Sequence, residues 1–143
     1  EDKPFSLSND TLALALLDSM YSGVDEVTRR FYFWVVSRSL KRSDGYYSEG
    51  VGVTGTSHLY ERPYEFISSW KNCITKEERE QWVYYLAAEQ SITSEGFPAD
   101  SVLAIYRDSL DQVTKDLPTE LIAMRDTLLF QVGRKLQVLK SAE

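Results

Sequence analysis

The sequence predicts a single all-α domain, spanning residues 1–143, in which five or six helices pack orthogonally or as a bundle. Three observations favour this class. Apolar residues recur at helical spacing through most of the chain, capping residues and prolines stand where helices would begin, and no internal repeat or linker divides the chain. The exception is a stretch rich in glycine and tyrosine, residues 43–62, which predicts a long loop with a small β-hairpin as one form of it.

The first two predicted helices occupy residues 8–21 and 24–42. The first follows polar residues of N-cap type and carries leucines on one face before Gly23 ends it. The second has acidic residues in its first turn and Lys41 and Arg42 in its last turn, as the helix dipole favours. Its apolar residues fall on two faces, and such a helix is expected at the centre of a fold.

Prolines and a capping box mark the remaining helix starts. Pro63 is expected to begin a short helix that carries several aromatic residues. The stretch Thr75–Glu78 has the pattern of a capping box and opens a helix over residues 76–90. Pro98 and Pro118 begin the last two predicted helices, each with a continuous apolar stripe.

The predicted loop contains the pattern G-x-G-x-x-G at Gly50, Gly52 and Gly55. In a dinucleotide-binding fold this pattern follows a buried strand and opens a helix whose N–H groups bind the pyrophosphate. Here residues 46–49 are too polar and too few for that strand, and Pro63 follows where the crossover helix should run. The sequence therefore favours a connecting segment over a nucleotide site, and it predicts no cofactor.

Composition argues against several classes of site. One cysteine, Cys73, and one histidine, His58, are too few for a structural zinc site or a His-carboxylate di-iron site, so no metal is predicted. The net charge of −6 argues against a nucleic-acid-binding protein. No apolar run reaches the roughly 20 residues of a membrane span. Cys73 stands in an apolar setting and is predicted to be a small buried residue, not a nucleophile.

The tyrosines and cations of the 43–62 segment are the candidate partner-binding residues. Tyrosine and arginine are enriched among the anchors of protein interfaces, because they bury a large area and keep a polar end. The alternative is a loop whose tyrosines only cover the core. The candidates are Tyr46, Tyr47, His58, Tyr60 and Arg62.

Arg125 falls in the middle of the apolar stripe of the last predicted helix. A buried guanidinium must be paired or must reach water. One interpretation is therefore an aliphatic stem that packs along the core, with the head bound to a carboxylate or a helix-end carbonyl. The other is a guanidinium that lines a pocket for an anionic ligand or a partner's carboxylate.

The sequence thus predicts a non-enzymatic protein-binding domain, such as an adaptor, an inhibitor or an immunity-type protein, that uses helix faces and the 43–62 loop. Its acidic charge suits a basic partner protein, and self-association stays open. The alternative is a small-ligand-binding protein or a small enzyme with a pocket near Arg125 and His58. The chain begins at Glu1 and not at Met, which fits an exported, for example periplasmic, protein and a cytoplasmic one equally.

Overall fold

The computed structural model describes residues 10–42 and 45–142, and throughout these residues the protein is helical. The described part contains seven α-helices and one 3-10 helix, with no strand. The all-α prediction is confirmed, while the number of helices is higher than the five or six expected. In chain order the elements are α1 Asp10–Ser22, α2 Glu26–Ser39, the 3-10 helix Leu40–Arg42, α3 Gly45–Glu61, α4 Pro63–Asn72, α5 Lys76–Thr93, α6 Ala99–Val113 and α7 Thr119–Ser141.

The predicted starts of the later helices are confirmed. Pro63 is the first residue of α4. The Thr75 hydroxyl accepts a hydrogen bond from the Glu78 backbone N–H at 3.2 Å, and the Glu78 carboxylate accepts one from the Thr75 N–H at 3.0 Å. This reciprocal pair is the predicted capping box. Pro98 and Pro118 stand at the N-cap positions of α6 and α7.

The loop predicted over residues 43–62 is wrong, and so is the hairpin, because α3 runs from Gly45 to Glu61. Residues 43 and 44 lie outside the described part. Each glycine costs a helix about 1 kcal/mol relative to alanine, so the glycine content argued against a helix. Helix propensity is a weak guide when tertiary packing stabilises the segment, and α3 packs against α1, α4, α5 and α6. This additional helix raises the count to seven.

The three glycines of the G-x-G-x-x-G pattern are positions of close helix packing inside α3. A Cβ atom at Gly55 would lie 2.6 Å from the ring of Trp82 in α5, and one at Gly52 would lie 3.2 Å from a backbone oxygen of α5. A Cβ atom at Gly50 would lie 2.9 Å from a methyl carbon of Leu17 in α1. The pattern therefore lets α3 approach its neighbours closely, and it belongs to no strand–helix turn.

Three stacked and edge-on rings form the centre of the core. Phe33 of α2 stacks on Trp82 of α5 with their ring centroids 5.3 Å apart and their planes 4° from parallel. Phe66 of α4 meets the Trp82 ring edge-on at 5.6 Å. The Trp82 indole N–H donates a hydrogen bond to the buried Ser37 hydroxyl at 2.8 Å, so the polar end of this ring is satisfied. The core thus joins α2, α4 and α5.

Two predictions about burial are wrong. Cys73 is exposed, because α4 ends at Asn72 and the chain then turns so that the next residue, Ile74, points into the core. The helix α2 is not central: Phe33 and Val36 are buried, but its second apolar face is exposed. Helical spacing identifies both apolar faces of such a helix, but it does not say which of them a neighbour covers.

Candidate functional site

The exposed side of α2, with the turn before it, carries four large apolar side chains. Val24 and Val27 are 97% and 80% exposed, and Phe31 and Trp34 are 56% and 41% exposed. The rings of Phe31 and Trp34 stack with their centroids 6.4 Å apart. Single exposed apolar residues are common, whereas a contiguous exposed patch marks an interaction surface. These four residues are called the α2 face below.

Arginines border the α2 face. The guanidinium of Arg38 lies 5.1 Å from the Trp34 ring centroid, and its side chain is about half exposed. Its ion pair with the buried carboxylate of Glu78 is long, at 3.7 Å. Nearby, the guanidinium of Arg30 lies 6.0 Å from the ring of the exposed Tyr64. Arg30 is already paired with the Glu26 carboxylate at 2.6 Å, so Arg38 is the arginine here that can offer donors to a partner's carboxylates.

Behind the α2 face, a buried ionic network joins α2, α3 and α4. Arg29 donates two hydrogen bonds from Nε and one from Nη2 to the Glu65 carboxylate, at 2.8–3.0 Å. Its Nη1 donates to the carbonyl of Gly23 at 3.0 Å, which holds the turn between α1 and α2. The other side of the Glu65 carboxylate lies 2.9 Å from Nε2 of His58. This contact is not aligned as a hydrogen bond, and both ring nitrogens lack a hydrogen-bond partner in the described structure.

Burial lowers the pKa of His58 to about 4, and the positive charges of Arg62 and Arg29 act in the same direction. Glu65 opposes them, because its carboxylate favours the protonated ring. His58 is therefore neutral near pH 7. Its side chain is 1% exposed, so in this fold it contributes to the core and presents no surface to a partner.

The three tyrosines among the predicted partner-binding residues do not form one surface in the described structure. Tyr47 is buried, and its hydroxyl is hydrogen-bonded to Ser39. Tyr60 is partly buried and meets the ring of Tyr106 edge-on at 5.9 Å. Tyr46 is within α3, but its side chain lies outside the described part.

Arg62 ties the junction of α3 and α4 to the end of α1. Its Nη1 donates a hydrogen bond to the carbonyl of Tyr21 at 2.6 Å, and its guanidinium lies 5.8 Å from the Tyr21 ring. The side chain is partly exposed and borders a groove of about 510 Å³ that also contacts Arg29 and Tyr64. Arg62 therefore stabilises the packing of α1 against the α3–α4 junction, and part of its side chain stays accessible to solvent.

Arg125 is paired, as the first of its two interpretations requires. Its Nη1 lies 3.1 Å from the Asp111 carboxylate and donates to the Thr114 hydroxyl at 2.8 Å. Its Nη2 donates to the carboxylate of Asp126 at 2.9 Å. These acceptors already occupy the guanidinium, and neither Arg125 nor His58 lines the groove beside Arg62, the groove between α5 and α7 or the groove beside Phe97.

The described residues form neither a metal-binding group nor a membrane-spanning helix. Within residues 10–42 and 45–142, no three His, Cys, Asp or Glu side chains form a metal-binding group. No helix in the same ranges combines the length and apolar content that crossing a bilayer requires. No protein-family model, curated protein or solved structure matches this chain.

Proposed function

We propose that this chain is a protein-binding domain whose docking surface is the α2 face. The observation that carries the proposal is the exposure of Phe31 and Trp34 side by side on one helix stripe. Large aromatic residues provide most of the binding energy in many interfaces, because they bury a large area with few rotatable bonds. Exposing two of them on a folded domain leaves that area available to a partner.

The spacing of the α2 face fits a partner helix. Within α2, Val27, Phe31 and Trp34 follow one another at intervals of four and three residues, which is the spacing of a helix seam, and Val24 lies in the turn before them. An amphipathic helix packs its apolar stripe against such a seam with its side chains in the grooves of the other helix. The proposed occupant is therefore an amphipathic helix of another protein.

Local charge next to the two aromatic rings favours an acidic partner helix. The net charge of −6 favours a basic partner, but the guanidinium of Arg38 lies over the Trp34 ring and has only a long ion pair with Glu78. Arg30 is already paired with Glu26. Charges further away than about 8 Å are largely screened at physiological salt, so Arg38 dominates at contact distance from these rings. Carboxylates on the partner, placed beside its apolar stripe, would meet Arg38.

A labelled peptide tests the proposal. The probe is a synthetic amphipathic helix with leucine on its apolar stripe and glutamate on both flanks, and fluorescence anisotropy measures its binding. We expect Phe31→Ser to weaken binding at least about tenfold, since truncating an interface aromatic residue costs about 2 kcal/mol or more.

Two controls make the result specific. Phe97→Ser removes a phenylalanine of similar exposure, 65% against 56% for Phe31, from the segment between α5 and α6, and it should leave the affinity unchanged. A peptide with lysine in place of every glutamate should bind more weakly. The proposal fails if the two serine variants lose equal affinity, or if the lysine peptide binds as tightly as the acidic one.

A further inference from the structure

A second surface, independent of the α2 face, carries unneutralised positive charge. A groove of about 820 Å³ lies between α5 and α7. Four cations line it, and Glu80 is the one carboxylate among its lining residues. In a chain with 22 acidic and 16 basic residues, this local excess of positive charge runs against the overall balance. The cations are Lys76 and Arg79 from α5 and Arg134 and Lys135 from α7.

In the described structure, acids do not neutralise these four cations. Lys76, Arg134 and Lys135 have no ion pair within the described residues 10–42 and 45–142, and Arg79 donates to the carbonyl of Ile74. By contrast, Arg29, Arg30, Lys41 and Arg125 each pair with a carboxylate. Clustered like charges repel one another, and a bound anion relieves that repulsion.

The aromatic ring of Tyr84 also lines the groove. Tyr84 lies one helical turn beyond Glu80 on the groove side of α5, and it is 43% exposed. An exposed tyrosine ring can stack on a planar group of a ligand. The volume of the groove lies within the roughly 300–1,000 Å³ of small-molecule sites.

We propose that this groove binds a small phosphorylated ligand with a planar ring, that is, a nucleoside phosphate. The guanidinium groups of Arg79 and Arg134 donate hydrogen bonds to phosphate oxygens, and the ammonium groups of Lys76 and Lys135 add charge. The planar ring stacks on Tyr84. The glycines of α3 take no part, so this site is separate from the dinucleotide pattern of the sequence.

Thermal unfolding with three probes tests the site. ATP, inorganic pyrophosphate and adenosine are each added to the full chain, because a ligand that binds only the folded state raises Tm. We expect ATP to raise Tm by several degrees, pyrophosphate to raise it less, and adenosine to leave it unchanged. In Tyr84→Ala, ATP should stabilise no more than pyrophosphate.

A matched pair of double variants separates the groove from general charge effects. Arg134→Gln with Lys135→Gln should remove the response to ATP and to pyrophosphate. Arg107→Gln with Lys115→Gln removes two exposed cations outside the groove and should keep both responses. The inference is overturned if ATP leaves Tm unchanged, if both double variants respond alike, or if pyrophosphate stabilises the native chain as much as ATP.

Discussion

His58 is a buried titratable ring held between two aromatic residues and a carboxylate. Its ring centroid lies 5.8 Å from that of Phe66 and 6.4 Å from that of Phe33, and Glu65 contacts its Nε2. Burial brings its pKa to about 4, below the ordinary value of 6.5. Protonation therefore favours the unfolded chain, in which the ring is hydrated.

This shift predicts how stability depends on pH. The unfolded chain binds the proton of His58 near pH 6.5 and the folded chain only near pH 4, so the contribution is complete above 6.5 and is lost as the pH falls toward 4. Between pH 7.5 and pH 5.0 we expect the free energy of unfolding to fall by about 2 kcal/mol from this group. Urea unfolding at the two pH values measures it.

The variant His58→Phe provides the control for this pH effect. It keeps a planar ring in the aromatic site and removes the titration. Its free energy of unfolding should change little between pH 7.5 and pH 5.0, apart from what other groups contribute in both proteins. A variant with the same pH dependence as the native chain would show that another group is responsible.

For single residues, the sequence predicts that a charged side chain must be paired or solvated, but it does not identify the residue that pairs with it. The position of Arg125 on an apolar stripe predicted a paired or solvated guanidinium, and the structure pairs it with Asp111 and Asp126. The sequence could not identify those partners, since Asp111 lies on another helix. Cys73 shows a second reason for error: it follows the end of α4, where helical periodicity no longer determines the direction of a side chain.

At the scale of elements, the glycines of α3 determine how closely it packs against α5. The variant Gly55→Ala would place a Cβ atom 2.6 Å from the fully buried ring of Trp82. Forcing atoms into a packed core costs about 1–3 kcal/mol, while alanine gains about 1 kcal/mol of helix propensity. We expect a net loss of stability and a lower Tm, measured by circular dichroism.

Gly50→Ala is the matched control within the same helix. Its Cβ atom would meet a terminal methyl group of Leu17, which can move more easily than an indole ring. The gain in helix propensity should then offset the contact, and Tm should stay close to that of the native chain. If both variants were equally stable, the close contact between α3 and Trp82 would be contradicted.

The α2 helix explains why the sequence does not identify the proposed docking surface. Its sequence signal was present, because Val24, Val27, Phe31 and Trp34 form one apolar arc and Phe33 and Val36 form another. Two apolar faces on one helix predict a helix that is buried on both sides. The alternative, one face in the core and one facing a partner, has the same periodicity, and only the position of neighbouring helices distinguishes them.

For the whole molecule, local signals predicted the fold class and long-range contacts determined the surfaces. Capping residues such as Thr75 and prolines such as Pro118 act within one helical turn, so the sequence predicted the helix starts they mark. The groove between α5 and α7 joins residues 76–84 to residues 131–138, and no local pattern brings these together. The net charge of −6 does not indicate either surface, because cations lie on or beside each surface and the net charge averages over the whole chain.

The tryptophan indole N–H signals in a ¹⁵N–¹H spectrum test the central claim, that the α2 face is the docking surface. Trp70 and Trp82 are buried and donate hydrogen bonds to the backbone carbonyl of Arg79 and the hydroxyl of Ser37, whereas Trp34 is exposed on the α2 face. On titration with the acidic amphipathic peptide, we expect the Trp34 signal to shift while the other two stay in place. Binding of the peptide without any shift of the Trp34 signal would contradict the account.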